Sequence, residues 1–461
     1  MAMPTSPDRP GPQAREATPP GSEAGWAARR VYFPELDGLR AVAIALVYIF
    51  HDRNLDLLGL IMRTLGLIVS ITLDPLLELL GLGTIGFRLP SLVGTLRDNG
   101  WIGVQIFFVL SGYLIATLLL RERSRYGRVD LRAFWIRRLL RIWPLYYLLI
   151  LICWGLMPLI RGALGLDIRM WSPESLAQLP YFMLFLGNWS MGFQGPVPSD
   201  SAGVLWSICV EEQFYLFVPL LIAWVGPKSR VALVILMMAV AIAARYALAM
   251  SEANPLLLRF NTIVHLDTLL AGVTLALVTH RLPNLGRAGP WIARGVVLLG
   301  VVVVLTVPLA RGGPWRQAID YVLIWGWGIA LVAWAASARD PWTAVLRRPT
   351  LVWLGKISFG LYLFHEIALG IAGWLGFALR SIPDMGTVMV LASPALTVGL
   401  ASLSYYAFER PFLRLKDRWT RVPSRPIEHT PTRVDDQDHP SPCPATFERS
   451  AGVSGEPPRP A

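Results

Sequence analysis

Residues 33–51 read FPELDGLRAVAIALVYIFH, an apolar run with an arginine at position 40 and a histidine at position 51. Every residue between Arg40 and His51 is apolar except Tyr48. Eleven positions at about 100° each make about three full turns, so both side chains lie on one helix face, about 16 Å apart along the axis. An ionisable residue within a membrane span is costly and indicates function. The pattern therefore predicts an opening membrane helix with a functional face; the alternative is a histidine that reaches the interface at the helix end.

The composition excludes an ordinary soluble domain. The chain has 461 residues, 54% of them hydrophobic and 16% charged, with a mean hydropathy of +0.49, which is typical of a polytopic protein in a lipid bilayer. The net charge of +11 comes from arginine clusters between apolar runs, as the positive-inside rule produces, and we expect no nucleic-acid partner. The three cysteines show no metal spacing, so we expect no metal site and no tightly bound cofactor.

The apolar stretches predict an all-α integral membrane bundle of about ten transmembrane helices. They lie at 38–54, 101–120, 139–160, 203–225, 231–250, 256–279, 291–310, 318–338, 350–377 and 387–408.

Basic segments set the expected orientation, with both termini in the cytoplasm of a bacterial cell and the spans in its inner membrane. The arginine-rich segment 121–138 is predicted to be a cytosolic loop. Residues 55–90 and 179–193 combine short apolar runs with polar breaks and are predicted as interfacial or re-entrant structure on the outer face.

Composition also predicts three regions. Residues 1–31 form a disordered cytosolic arm, residues 32–415 the membrane domain, and residues 416–461 a disordered cytosolic tail rich in proline, serine and charge.

Arginines cluster where the third predicted span begins. Arg138 and Arg141 lie three residues apart, so their guanidinium groups are on adjacent turns and form a fork suited to phosphate oxygens. Arg137 adds a third cation. The alternative is that these arginines only orient the span.

Two later spans carry polar faces. Ser207 and Glu211 lie four residues apart on the fourth span, and Tyr362 and His365 share a face of the ninth with Ser358. These residues are candidates for contact with a substrate, and Glu211 for orienting an acceptor or a histidine; the alternative is that they hold helices together. In the second span, Ser111-Gly112 favours close helix packing.

These segments, in this order, resemble the membrane-bound acyltransferase family 3, which includes bacterial O-antigen acetyltransferases and macrolide acyltransferases. The resemblance runs from about Tyr32 to Leu415. Its motifs are Arg-x10-His, Gly-x-x-Gly-Val followed by Phe-Phe-Val-Leu-Ser-Gly-Tyr-Leu-Ile, Arg-Arg-x-x-Arg-Ile-x-Pro, Trp-Ser-x-x-x-Glu-x-x-Phe-Tyr, Ser-Phe-Gly-Leu-Tyr-Leu-x-His and Glu-Arg-Pro.

The resemblance implies an O-acyltransferase that uses an acyl-coenzyme A, usually acetyl-CoA, as co-substrate. The implied acceptor is a hydroxyl of a sugar, an envelope glycan such as lipopolysaccharide, or a small molecule. Arg40 and His51 fall on the family's essential pair, and Arg138 and Arg141 on its arginine motif near the coenzyme. Some relatives carry an extra hydrolase-like domain; we expect any such periplasmic transferase to be a separate protein.

Acyl transfer to an alcohol needs a base and a cation for the developing oxyanion. We expect His51 to be the base and Arg40 to stabilise charge on the thioester side, both in one reaction chamber. Whether His51 also carries the acyl group covalently stays open. The competing class is a proton-coupled transporter that uses Arg40, His51, Glu211 and His365 as a relay. Transporters commonly show repeated halves with paired broken helices, which this sequence does not show.

Overall fold

The computed structural model describes residues 32–52, 89–166, 168–251, 254–281, 289–306, 309, 314–337, 340–382 and 384–419. In these ranges the chain forms helices and turns and no strand. The helices, numbered in chain order, are α1 (Pro34–His51), α2 (Leu89–Asn99), α3 (Ile102–Tyr126), α4 (Leu131–Ile150), α5 (Met157–Ala163), α6 (Pro173–Met183), α7 (Gly187–Gln194), α8 (Asp200–Gly203), α9 (Leu205–Trp224), α10 (Pro227–Met250), α11 (Pro255–Phe260), α12 (Thr262–Arg281), α13 (Gly289–Thr306), α14 (Pro314–Ser337), α15 (Pro341–Leu346), α16 (Pro349–Lys356), α17 (Ser358–Ala378), α18 (Met385–Ser404) and α19 (Arg410–Asp417).

The start of α1 is fixed by its acidic residues. Pro34 is in the first turn, where its missing N–H costs no helical hydrogen bond, and two carboxylates there face the positive end of the helix dipole. Both carboxylates are buried. Arg347 pairs with Glu35 at 3.2 Å, and Arg40 donates to Asp37 at 2.8 Å. Because an unpaired buried charge is strongly destabilising, these pairs anchor α1 in the bundle.

The predicted all-α membrane bundle is confirmed, but its count of ten spans is not fully reproduced. Among the described residues, eight helical segments are long and apolar enough to cross a membrane. The first and seventh predicted spans are helices that fall outside this set. Helix α1 carries three charged residues near its start, and in α13 only Ala293–Val304 stands out as a shorter apolar helix.

Helix α3 lies at the centre of the bundle. Of its most apolar stretch, 78% is buried inside the protein, against 22% for α10. Helices α1, α9, α12 and α14 all pack against α3. Helix α3 therefore holds α1 and α9, the helices that carry Arg40 and Glu211, in one bundle.

The prediction that residues 121–138 form a loop is wrong, whereas their cytosolic placement stays a prediction. Helix α3 continues to Tyr126 and α4 begins at Leu131, so only residues 127–130 form the turn. Gly127 ends α3 with a φ of 71°, and Asp130 caps α4 by accepting a hydrogen bond from the Ala133 amide at 3.0 Å. Long arginine side chains let a helix extend past the hydrocarbon region. A helix boundary drawn at the first charged residue therefore ends the helix too early.

The segment predicted at 179–193 is made of short helices. It contains the end of α6 and most of α7, helices of 11 and 8 residues. They are joined near Phe185, whose φ of 57° lies in the left-handed region. Neither helix has the length of a span, in agreement with the prediction.

Three other predicted segments lie outside the described residues: 55–88 of the interfacial region 55–90, the arm at 1–31, and the tail from 420 onward. Helix α19 extends to Asp417, so the first residues assigned to the disordered tail are helical. The two disordered regions stay predictions.

Helices α3 and α12 cross in backbone contact through Gly112 and Gly272. A Cβ atom on Gly112 would meet the Leu269 carbonyl oxygen, and one on Gly272 would meet the Val109 carbonyl oxygen. The close packing predicted for Ser111-Gly112 is confirmed.

We expect Gly272→Val to destabilise the protein, because its side chain forces α3 and α12 apart. Overpacking of this kind costs about 1–3 kcal/mol or more. Thermal unfolding of the detergent-purified protein measures the change. Gly326→Val on α14 is the matched control, since nothing lies within 4 Å of a Cβ there. Equal unfolding midpoints for the two variants would contradict the steric argument.

Candidate active site

A cavity of about 100 Å³ lies where α1, α3, α4, α9 and α17 meet, and we call it the Arg40 cavity. Its polar lining comes from all five helices and consists of Arg40, Ser111, Arg141, Ser207, Glu211, Ser358 and Tyr362. Six of these seven residues were predicted from the sequence. Arg40, Arg141, Ser207, Glu211 and Tyr362 were candidates, and Ser358 belongs with Tyr362 and His365 to the polar face of α17, which we call the α17 stripe. Ser111 was assigned only to helix packing.

The Arg40 guanidinium is held at the cavity by Asp37. Arg40 Nη1 donates to Asp37 Oδ1 at 2.8 Å, and the Tyr32 hydroxyl donates to Asp37 Oδ2 at 2.9 Å. Asp37 is almost fully buried, whereas the Arg40 side chain is 18% exposed. A guanidinium has five N–H groups, so Arg40 keeps donor capacity for a ligand while Asp37 fixes its position.

Glu211 and Arg141 give the cavity groups of opposite charge. The Tyr215 hydroxyl donates to Glu211 Oε2 at 3.1 Å, and Tyr215 also hydrogen-bonds Ser111. Arg141 interacts electrostatically with both Glu211 and Glu409. Ser111, which the sequence assigned to helix packing, therefore also helps to hold the face of α9 that carries Glu211.

Only one of the three predicted coenzyme arginines lines the Arg40 cavity. Arg141 does, while Arg138 lies over the rings of Phe134 and Tyr215 at 5.6 and 5.7 Å. Arg137 points elsewhere, donating to the Trp419 carbonyl at 2.7 Å and pairing with Glu122 at 3.3 Å.

The predicted fork of Arg138 and Arg141 is thus not formed at this cavity. Three residues on an α-helix turn through about 300°, so the two side chains diverge by about 60° and meet different neighbours. Arg141 is the arginine of this group that a ligand in the cavity would meet.

The α17 stripe forms as predicted but divides between two environments. Ser358 and Tyr362 line the Arg40 cavity. The Tyr362 hydroxyl bonds Ser207 Oγ at 2.7 Å and the Val204 carbonyl at 3.0 Å, which ties α17 to α9. His365 is fully buried and does not line the Arg40 cavity; it lies behind Tyr362, their ring centroids 5.7 Å apart. Its contact with a substrate stays a prediction.

His51 borders a larger cavity of about 780 Å³, which we call the His51 cavity. Its walls come from α1, Cys153 between α4 and α5, α5, the segment after α5, Pro198, Ser199, Ser201 and α17. Arg161 and Arg169 supply positive charge, and Ser199 and Ser201 supply hydroxyls. Ligand pockets typically have volumes of about 300–1,000 Å³, so this cavity has the size of a small-molecule or sugar site.

The hydrogen bonds of His51 assign its tautomer. Its Nδ1 lies 2.9 Å from the Val47 carbonyl oxygen, which only accepts, so Nδ1 carries the proton. The same reasoning applies to His365, whose Nδ1 is 2.6 Å from the Tyr362 carbonyl oxygen. His365 Nε2 then accepts and lies 3.4 Å from His51 Nδ1. The lone pair of His51 is therefore on Nε2.

Glu366 is the residue at this site that sequence reasoning missed. Its Oε1 lies 3.6 Å from His51 Nε2, and both residues line the His51 cavity. Glu366 directly follows His365, about 100° away from the stripe used to choose candidates. The signal was present as a carboxylate inside a predicted span.

Arg40 and His51 do not share a reaction chamber. Their side chains line different cavities, and Ser207, Tyr362 and His365 lie between them in contact with one another. About 16 Å of helix separates the two residues, which is too far for one small cavity to reach both. The expectation of a common chamber is wrong. Packed side chains connect Arg40 to His51 instead.

Comparison with known proteins identifies the family. A family model described as an acyltransferase domain matches residues 33–408. The chain belongs to this acyltransferase family. The resemblance implied by the sequence motifs is confirmed over nearly the whole membrane portion.

The acyltransferase is similar to several bacterial proteins. It is 26% identical over 401 residues to the peptidoglycan O-acetyltransferase OatA of Listeria monocytogenes, covering 83% of this chain and 56% of that protein. It is 29% identical over 349 residues to the putative peptidoglycan O-acetyltransferase YrhL of Bacillus subtilis, covering 68% of this chain and 50% of that protein. A putative O-acetyltransferase of Staphylococcus aureus strain COL is 26% identical over 407 residues, with 83% and 57% covered.

The chain thus spans about half the length of these curated relatives. No solved structure matches the acyltransferase.

Proposed function

We propose that this protein is a membrane O-acyltransferase that moves an acyl group, acetyl in the first instance, from acyl-CoA to a hydroxyl of an envelope glycan or a related sugar. The observation that carries the proposal is the pair of cavities, one with guanidinium groups and one with a histidine lone pair, joined by the contacts of Ser207, Tyr362 and His365. Family membership supports this reaction over the transporter.

The Arg40 cavity is the proposed donor side. At about 100 Å³ it has room for the thin end of a coenzyme but not for the whole molecule, so the nucleotide part stays outside its mouth. Arg141 binds a phosphate of acyl-CoA by charge-assisted hydrogen bonds. Arg40, fixed by Asp37, binds the pantetheine side of the coenzyme through its remaining N–H groups.

The His51 cavity is the proposed acceptor side. His51 Nε2 accepts the proton of the acceptor hydroxyl, whose oxygen attacks the acyl carbonyl carbon. The C–O bond of the new ester forms, the C–S bond of the thioester breaks, and the proton on His51 passes to the coenzyme thiolate, which leaves as the thiol. Because packed side chains separate the two cavities, this transfer requires Ser207, Tyr362 and His365 to move apart so that the acyl thioester reaches His51.

Glu366 and His365 are proposed as positioning residues for His51. The Glu366 carboxylate, 3.6 Å from Nε2, stabilises the imidazolium that forms during proton transfer. His365 and the Val47 carbonyl both face Nδ1, which keeps the lone pair on Nε2.

The acceptor follows from the relatives only by analogy. OatA and YrhL are named for peptidoglycan, so we propose a cell-envelope glycan as the acceptor class. The protein then lies in the cell membrane. We also propose that both termini are cytoplasmic, supported by the arginines that flank the short turn between α3 and α4.

The test is incubation of membrane vesicles with acetyl-CoA labelled on the acetyl group. Inside-out vesicles, which expose the cytoplasmic face, are expected to transfer label to a glycan as a base-labile ester, and right-side-out vesicles are not. Vesicles without the protein are the control. Formation of the labelled ester in right-side-out vesicles but not in inside-out vesicles would contradict the proposed orientation. Uptake of an unmodified solute without ester formation would indicate transport.

A further inference from the structure

We propose that His51, His365 and Glu366 form a binding site for a divalent transition-metal ion such as Zn²⁺, and that the bound ion blocks acyl transfer. Metal binding depends only on the three side chains and not on the proposed function. The inhibition half rests on the proposed function, in which His51 Nε2 is the base.

The donor atoms lie close to the spacing that such an ion requires. Taking one donor atom from each of the three residues, all lie within 4.8 Å of one another. His51 Nε2 is 3.6 Å from Glu366 Oε1, and His51 Nδ1 is 3.4 Å from His365 Nε2. Tetrahedral Zn²⁺ with ligands at about 2.0–2.2 Å holds neighbouring donors about 3.3–3.6 Å apart.

Completing the site requires a small rotation of one ring. His51 offers a single nitrogen to the ion, so its ring turns until Nε2 faces His365 as well as Glu366. The His51 side chain is 26% exposed and borders a cavity of about 780 Å³, which gives the ring room to turn and the ion a path to the site.

The His365 imidazole is oriented as metal-binding histidines usually are, and so is the His51 imidazole before its ring turns. Such a histidine donates its other ring N–H to a carbonyl or a carboxylate, which fixes the tautomer. Here the Val47 and Tyr362 carbonyls lie 2.9 and 2.6 Å from the Nδ1 atoms of His51 and His365. Two imidazoles and one carboxylate favour Zn²⁺ and similar ions over Mg²⁺ and Ca²⁺, which prefer oxygen ligands.

The fourth coordination position faces the His51 cavity, because His51 and Glu366 both line it. An ion there occupies the Nε2 lone pair that would take the proton of the acceptor hydroxyl. Bound metal and acyl transfer therefore exclude each other at this site.

The sequence predicted no metal site, since only cysteine spacing was considered. The ligands come from α1 and α17, and His51 and His365 are 314 positions apart. Only the packing of these two helices, which are in contact, brings the donors together.

The binding test uses the full chain, purified in detergent without a polyhistidine tag and stripped with a chelator. After incubation with Zn²⁺ and desalting, we expect elemental analysis to find one zinc per chain. His365→Gln and Glu366→Gln are each expected to weaken zinc binding by at least the roughly 10- to 100-fold that loss of a supporting residue costs. His280→Gln, which removes a histidine at the end of α12, is the control and is expected to bind as the wild type does.

Size-exclusion profiles establish that the variants are folded. Unchanged zinc affinity in both His365→Gln and Glu366→Gln would overturn the site.

The inhibition test measures acyl transfer over the same range of Zn²⁺ concentration. Transfer by the wild type is expected to fall as the site fills, and the remaining activity of Glu366→Gln is expected to resist about 10- to 100-fold more zinc. Zinc that binds stoichiometrically but leaves transfer unchanged would uphold the site and overturn the proposed role of His51 as base. Failure of the zinc site and failure of the proposed function are therefore distinguishable.

Discussion

Replacing His51 with glutamine is expected to lower acyl transfer by about 10²- to 10⁴-fold, the usual contribution of a positioned general base. Glutamine keeps a polar side chain of similar reach but has no nitrogen that can accept a proton. The variant is expected to insert and fold, because His51 lies at the end of α1, beyond the buried residues that pack the helix. Transfer of labelled acetyl groups in membranes that contain equal amounts of protein measures the loss.

His280→Gln is the matched control, since it makes the same chemical change at the end of α12. Its transfer rate is expected to equal that of the wild type. A well-inserted His51→Gln protein that retains full activity would remove His51 from the mechanism. Loss of activity in both variants would show that the effect is not specific to His51.

Replacing Arg141 with alanine is expected to raise the acyl-CoA concentration needed for half-maximal rate by about 10- to 100-fold. A hydrogen bond to a charged group contributes about 1.5–3 kcal/mol, and each 1.4 kcal/mol is about tenfold in affinity. Arg141 is the arginine of its cluster that lines the Arg40 cavity. Initial rates over a range of acyl-CoA concentrations, at saturating acceptor, measure the effect.

Arg132→Ala removes the same charge in the first turn of α4, where Arg132 is exposed and lies over the Trp419 ring. This control separates the loss of a specific phosphate contact from the general loss of a positive charge on α4. We expect its dependence on acyl-CoA to stay near that of the wild type. Equal changes in the two variants would contradict a specific contact by Arg141.

The sequence predicted the helices well because membrane spans leave a strong hydropathy signal. It predicted their ends poorly where charged residues continue a helix, as Arg123 and Arg137 do on the two sides of the turn at 127–130. The count of spans differs at α1, whose buried Glu35 and Asp37 lower its apparent hydropathy. A hydropathy profile takes no account of the ion pairs that these two carboxylates form.

The candidate site was predictable on each helix but not between helices. Spacing placed Ser207 with Glu211, and Tyr362 with His365, on common faces, and it placed Arg40 on the face of His51. It gave no distance across helices, so it missed the approach of Glu366 to His51 and the separation of Arg40 from His51 by two cavities. Helical period describes one helix, whereas the cavities are set by how several helices pack.

The packed side chains between the two cavities have an electrical consequence. A charge that crosses a membrane moves through about 2.3 kcal/mol for every 100 mV of potential, so a continuous wet path through the bundle would discharge the cell. The hydrogen bonds of Tyr362 to Ser207 and to the Val204 carbonyl, with buried His365 behind them, close the route at its middle. This seal lets the protein keep arginine, glutamate and histidine inside a membrane-spanning bundle without becoming an ion leak.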